Sequence, residues 1–396
     1  MATEARSNAW YQRPELVAHW LADFIIGQMR QLRPNYAPPA QFSGLTLSRD
    51  DADIDSIELI DVASALYLAL DAEASGSIDA APIGRSFASW CAFVTHAAAR
   101  TKILSFYTSG STGKPRRIEH RMRDLDAEMS DFLPQLRAGG FIPERIVTVM
   151  PCQHLYGFLF GILLPAQLNL PMFACKGQAA AQVRAQLQPG DVLIAHPHFW
   201  TGALVSDAPY QANRPVWPVS MLGLSSGQAL SDEVFERAQS QHIRMLEIYG
   251  ATETAGIAWR DTPGPMRLMS RYELSDGGQL LDRYQQNLLV AAPDQLEATE
   301  DGRLHVRARH DRVVQVAGVN VHLEHVEQTI RAVSGVAKLY VDLDVSTQRL
   351  HAWLVSQPLD ETALRRSLQT HLTSAEMPAR WFFVTALPKV SNWKAL

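Results

Sequence analysis

At 396 residues, 47% of them hydrophobic, the chain has room for two or three domains with their own cores and is too apolar to be disordered. Its formal net charge of −5, with no long Lys/Arg run, excludes the basic footprint of a nucleic-acid binder. Cys91, Cys152 and Cys175 form an odd set without metal-ligand spacing, which argues against a disulfide framework and for a reducing cytoplasm. Met1 to Arg6 lacks the apolar core of a signal peptide. The longest apolar stretch, Leu155 to Leu164, stops at Pro165, too short for a bilayer span.

Leu16, Val17, Trp20, Leu21, Phe24 and Ile25 recur at helical spacing and predict a core-facing helix over Glu15–Met29. Arg33 to Pro39 is a Pro-rich connection. Asp55-Ser56-Ile57-Glu58-Leu59 opens a second apolar helix reaching Leu70. Carrier proteins attach phosphopantetheine at a similar Asp-Ser-apolar start, but a Ser or Asp N-cap on a buried helix explains this one more simply.

The chain is organised around Tyr107-Thr108-Ser109-Gly110-Ser111-Thr112-Gly113-Lys114-Pro115, entered by the apolar run Ile103–Tyr107. Glycines let a backbone turn tightly, and exposed N–H groups, hydroxyls and an ammonium converge on anionic oxygens, so the stretch reads as a phosphate-embracing loop. It is not a Walker loop, because only Ser111 and Thr112 separate Gly110 from Gly113-Lys114. Taken alone, an ordinary polar turn would explain it equally well.

Short β-type runs follow at Arg145–Met150, Leu170–Ala174, Asp191–Ala195, Val216–Leu222 and Ile243–Ile248. Helical patterns at Asp124–Leu136, Gln178–Leu187 and Asp232–Ser240 fall between most of them. This alternation predicts an α/β fold with a parallel sheet and ligands at the strand C-terminal ends, the loop at 107–115 lying at one of them. Tyr249-Gly250-Ala251-Thr252-Glu253 lies just past Ile243–Ile248. Its hydroxyl and carboxylate suit a phosphate contact and a Mg²⁺ ligand, and Tyr249 suits stacking along a purine. Alone, Thr-Glu is also an ordinary helix cap. Between the two motifs lie Pro151-Cys152-Gln153-His154-Leu155-Tyr156-Gly157 and Ser225-Ser226-Gly227. A lone His after a strand is usually structural; in this series His154 suits the wall of a carboxylate site.

Together these stretches resemble the adenylate-forming superfamily of acyl- and aryl-CoA synthetases, luciferases and peptide-synthetase adenylation domains. The loop at 107–115 is similar to that family's phosphate loop, with Arg116 in place of its terminal Lys, and Tyr249–Glu253 matches its Tyr-Gly-x-Thr-Glu. The resemblance implies binding of ATP and Mg²⁺. The loop Thr108–Lys114 would hold phosphates, Thr252 the α-phosphate and Glu253 the metal. Ser226-Gly227, with Tyr249, Gly250 and Ala251, would line the adenine and acyl sites. Arg309 falls at the family's ribose-binding Arg, Asp311 at its hinge, and Asp294 at its ribose-binding Asp, although Ala292-Pro293-Asp294 replaces Thr-Gly-Asp. Leu387-Pro388-Lys389-Val390-Ser391-Asn392-Trp393-Lys394 follows the C-terminal pattern and gives Lys394 the role of catalytic lysine, with a lysine on a frayed tail as the lesser alternative.

The resemblance runs from about residue 100 to the end. It implies a core domain over 1–310 with an unusual, shortened part at 1–100, and a mobile α+β domain over 311–396. Dimerisation is one way in which the shortened part would be completed. Past Asp311, a strand at Arg312–Ala317, a helix marked by Leu323, Val326, Ile330 and Val333, strands at Val336–Val345, Arg349–Val355 and Arg380–Val384, and a helix capped by Asp360 through Leu372 are predicted. Gly318 would let a hairpin loop approach a second substrate. The implied reaction is acyl-AMP formation from a small carboxylic acid with release of pyrophosphate, then transfer to the thiol of CoA or an acyl carrier protein. His154, Tyr156, Phe158, Leu222, Gly223, Ser225 and Gly256 are the candidate acid pocket. The shortened N-terminus resembles stand-alone ligases of aryl-polyene and xanthomonadin-type pigment pathways, which points to a hydroxybenzoate-like acid, with a medium-chain fatty acid as the rival. A non-catalytic nucleotide-binding relative is the alternative of another class.

Overall fold

A computed structural model describes residues 9–77, 86–108, 116–205, 217–275, 279–285, 288–290, 292, 294–309, 313–316, 319–344 and 347–387. The chain divides into two compact units, 1–28, 38–107 and 117–310 on one side and 29–37, 108–116 and 311–396 on the other.

The predicted first helix spans Pro14–Leu32, and Leu16, Val17, Trp20, Leu21, Phe24 and Ile25 are all buried, as the 3.6-residue period requires. The Ser56–Ala69 helix starts where Asp55 accepts hydrogen bonds from the N–H groups of Ile57 and Glu58, both at 2.9 Å, while Glu58 accepts from the N–H of Asp55. Strand β1 (Ile103–Thr108) pairs with β2 (Arg116–Arg121) in a two-stranded sheet of its own, not in the parallel sheet where the alternation predicts it. Only seven residues join the two, too few for the crossover a parallel neighbour needs. Ser105 and Tyr107 tie β1 to the Ser56–Ala69 helix by donating to the carbonyls of Leu68 and Ala65.

The main sheet holds β3 (Arg145–Thr148), β4 (Met172–Ala174), β5 (Asp191–Ala195), β6 (Met221–Ser226), β7 (Ile243–Ala251), β8 (Ala255–Arg260) and β9 (Arg267–Leu268), in the order β4-β3-β5-β6-β7-β8-β9. β4 to β7 run parallel, and β8 and β9 return antiparallel, so the sheet is mixed. β5 and β6 are buried along their whole length, which explains their apolar runs at 192–195 and 221–224, with Asp191 and Ser225-Ser226 as buried polar ends. In this sheet two strands start later than predicted, each behind a proline: Pro171 precedes β4 and Pro218 precedes β6, and neither can donate to a ladder. Trp200, Trp217, Met221 and Met245 pack one face of the sheet. Beyond it, β10 (Tyr272–Leu274), β11 (Leu280–Asp282) and β12 (Leu288–Val290) form a three-stranded sheet, and β13 (Asp294–Ala298) pairs with β14 (Leu304–Arg309).

The smaller unit is α+β. β15 (Val313–Val316) and β16 (Val319–His322) form a hairpin, followed by the Leu323–Ser334 helix and by β17 (Leu339–Asp344) and β18 (Arg349–Val355), an antiparallel pair. The Glu361–Leu368 helix, capped by Asp360, leads to β19 (Arg380–Val384), parallel to β18. Val326, Ile330, Val341, Ala352, Leu354 and Leu368 make its core. Among the described residues no helix is long and apolar enough to cross a membrane.

Candidate active site

β3, β5, β6 and β7 deliver their C-terminal ends to one edge of the parallel sheet, the edge where open α/β sheets bind ligands. β7 carries the Tyr-Gly-Ala-Thr-Glu motif. Gly250 is required there: a Cβ would fall 2.1 Å from the carbonyl oxygen of Ala255, in the hairpin to β8. The hydroxyl of Tyr249 donates to Asp294 Oδ2 at 2.7 Å, and Asp294 pairs in register with Arg309 across β13 and β14. Tyr249 and Asp294 are thus joined side chain to side chain, with position 309 opposite Asp294 in the ladder, and Asp294 is buried, as a carboxylate held by a hydroxyl can be. Thr252 is half-buried. Glu253 is exposed, so a hard carboxylate oxygen faces solvent at the strand end, a donor that fits Mg²⁺.

No motif singles out His120, yet it reaches the candidate site: its Nε2–H donates to the carbonyl of Thr252 at 2.6 Å, joining β2 to the Thr-Glu pair. Burial lowers its pKa, while the bond to Thr252 pulls the other way. The signal was present in the strand itself: the alternation of Arg117, Ile118, Glu119, His120 and Arg121 puts Ile118 and His120 together on the inner face. Thr254 braces the same turn, accepting from the N–H of Ala251 and donating to the carbonyl of Ala255; the hydroxyl of Tyr272 caps the carbonyl of Thr254.

After β3, His154 leads into a helical run from Leu155 to Leu168 whose middle, Leu159–Leu163, opens into a π-turn. Burial lowers the pKa of His154, opposed by the charge of Asp23. Tyr156 donates to the carbonyl of Ala195 at the end of β5. Phe158 is wholly buried against the rings of Trp10 and Phe106. Leu222 is buried in β6. Gly223 backs onto Trp200 and Met245, where a Cβ would come within 2.5 Å of the Met245 sulfur. Ser225 is fully buried and its hydroxyl has no partner among the described residues; Ser226 is buried beside it, and Gly227 turns the chain away at φ 99°. Gly256 donates its N–H to Glu128 Oε1 at 2.8 Å. Ser109 to Lys114, Asp311, Gly318 and Lys394 lie outside the described residues, as do the side chains of Thr108 and Arg309. A cavity of about 260 Å³ between the Met122–Arg137 helix and β9 is lined by Glu128, Asp131, Trp259, Arg267, Ser270 and Tyr284, and by none of the predicted site residues.

Comparison with known proteins finds relatives along most of the chain. A 4-coumarate–CoA ligase of Rhodobacter capsulatus is 28% identical over 402 residues, covering 96% of this chain and 99% of that protein. The enzyme of the same name from Halorhodospira halophila is 28% identical over 389 residues, covering 94% and 96%. A 3,4-dihydroxybenzoate–[aryl-carrier protein] ligase of Bacillus anthracis is 22% identical over 313 residues, covering 73% and 71%. Among solved structures, the amide bond synthetase McbA of Marinactinospora thermotolerans shares the fold at a TM-score of 0.59 and 17% identity, over 95% of this chain and 91% of that one. The first of these ligases matches nearly end to end, so the likeness reaches well before residue 100, where the motifs alone begin it. The sequence model described as AMP-binding enzyme matches residues 51–310, and with that match the chain belongs to the AMP-binding enzymes, an adenylate-forming family that includes the acid–CoA ligases.

Proposed function

We propose that the chain activates a para-hydroxylated aromatic acid of the 4-coumarate class as its acyl-adenylate and transfers the acyl group to CoA. The observation that carries this reading is the hydrogen bond between Tyr249 and Asp294 near the end of β7, with position 309 opposite Asp294 in the ladder, in a chain matched along its length by 4-coumarate–CoA ligases. The substrate carboxylate attacks the α-phosphorus of ATP and pyrophosphate leaves in line, so positioning and neutralisation of charge supply the catalysis. Asp294 and Arg309 hold the ribose, Tyr249 flanks the purine, and Ser226-Gly227 lines the crevice. Thr252 and the loop Thr108–Lys114 hold the phosphates, with Lys394 supplying a further positive charge. Glu253 would hold Mg²⁺, which when bound neutralises phosphate charge. His154 and Tyr156 border the acid, with Phe158, Leu222, Gly223, Ser225 and Gly256 behind them. Gly223 and Phe158 would act by shaping the wall from the core side rather than by contact.

Acid-dependent pyrophosphate release measured over 4-coumarate, cinnamate, 4-hydroxybenzoate and medium-chain fatty acids, each with CoA or a pantetheine-loaded carrier protein as acceptor, tests this. The expected outcome is preferential use of 4-coumarate with formation of its CoA thioester. Preference for fatty acids, or thioester formed only on the carrier protein, would overturn the substrate and acceptor named here. The aryl-carrier-protein ligase of Bacillus anthracis keeps the second acceptor in the panel. Nucleotide binding without acid-dependent pyrophosphate release would instead mark a non-catalytic relative.

A further inference from the structure

Asp23 sits on the first helix, 3% exposed, a position at which an amphipathic pattern calls for an apolar residue. Its carboxylate reaches two strand ends at once. Oδ2 accepts from the N–H of Cys152 at 2.6 Å, just past β3, and Oδ1 pairs with the ammonium of Lys176, just past β4. The same two ends are joined by the N–H of Cys175 donating to the carbonyl of Thr148. His19, one helical turn earlier, brings Nε2 to 3.7 Å from Oδ2.

The imidazole, carboxylate and thiol of His19, Asp23 and Cys152 lie within 4.8 Å of one another, a spacing a metal ion could use. Two observations argue against that use. Lys176 already supplies the compensating cation on Oδ1, and Oδ2 is already taken up by the N–H of Cys152. An ion pair with one buried partner is also a poor source of stability compared with an apolar pair of the same volume, so its value here lies in the geometry it imposes.

That geometry bears on the turn carrying His154. Gln153 packs directly on Gly27 of the same helix, where a Cβ would come within 2.9 Å of its Nε2, and Gln153 Nε2 lies 3.4 Å from His154 Nε2. Helix, turn and imidazole are therefore in one chain of contacts, anchored by a charge-assisted bond to the backbone of Cys152. We propose that Asp23 is a positioning residue for acid activation: by clamping the N–H of Cys152 it sets where His154 stands against the carboxylate substrate. The inference rests on the reading of His154 as part of the acid site.

Steady-state kinetics of the full-length enzyme separate this role from a structural one. Replacing the ion pair by an apolar pair, Asp23→Leu with Lys176→Met, releases the turn without stranding a charge. The KM for the acid is expected to rise about tenfold or more while the KM for ATP stays within about twofold. Asp23→Asn keeps an oxygen that accepts from Cys152 and is expected to hold the acid KM near wild type. Combined with His154→Ala, the apolar pair should add nothing to the loss His154→Ala causes alone. An unchanged acid KM in the folded double variant, or acid and ATP constants rising together, would overturn the inference while leaving the ligase reading in place. An unaltered His154→Ala enzyme would remove His154 from the acid site and overturn both statements about it. Should the apolar pair not fold, Asp23→Glu, which displaces the carboxylate by a methylene, carries the same expectation, and an unchanged acid KM there overturns it.

Discussion

Glu128 holds a buried carboxylate between two partners: it accepts from the N–H of Gly256 and from Arg271 Nη1, and Arg271 is shared with buried Asp282 through bonds of 2.8 to 3.2 Å. One guanidinium thus serves two carboxylates. Burial pushes the pKa of Glu128 up to about 7, beyond what Arg271 and Gly256 recover. Because this folded value exceeds the unfolded one of 4.5, the native state binds more protons between the two, and stability falls as pH rises from about 4.5 through 7. Glu128→Gln should remove that fall, on the order of 3 kcal/mol across the window, and urea midpoints measured at a series of pH values will show it. A variant whose pH profile parallels the wild type would place the titration elsewhere. Since Gly256 lies on the strand returning from Thr252-Glu253, the same residue braces the candidate site from behind.

At the scale of elements, local signals were most reliable where the backbone had a specific need. Asp232–Ser240 and Arg349–Val355 occur with the predicted bounds, and the Asp55 start of the second helix is a reciprocal capping box. Asp55→Ala should cost about 1 kcal/mol, read as a lowered melting temperature, with nucleotide binding unaffected. A neutral substitution would mean that the helix start is held by packing alone. Asp55 satisfies two N–H groups of that start. The pattern failed where a strand starts behind a proline, at β4 and β6, and where pairing partners had to be chosen, as with β1 and β2.

For the molecule as a whole, the catalytic proposal depends on Lys394, which is 141 positions beyond Glu253 in the chain. Removing a preorganised positive donor at the α-phosphate costs on the order of 10²–10³ in rate. Lys394→Ala should therefore lose acid-dependent pyrophosphate release to that extent and still form thioester from preformed acyl-adenylate. Equal damage to both half-reactions would take Lys394 out of the adenylation step.

Residues close in sequence carried their own evidence: helical periods, caps, the glycine-rich loop and the Tyr-Gly-Ala-Thr-Glu motif depend on local backbone geometry, which neighbouring side chains dictate, and so the α/β class and the adenylate-forming chemistry could be read from the text. What required the tertiary structure were contacts between distant segments. Tyr249 with Asp294, His120 with Thr252, Glu128 with Arg271 and Asp23 with Cys152 and Lys176 join positions up to 153 apart, and pairing at such separation is set by the packing of the whole sheet, on which no short stretch of sequence has a bearing.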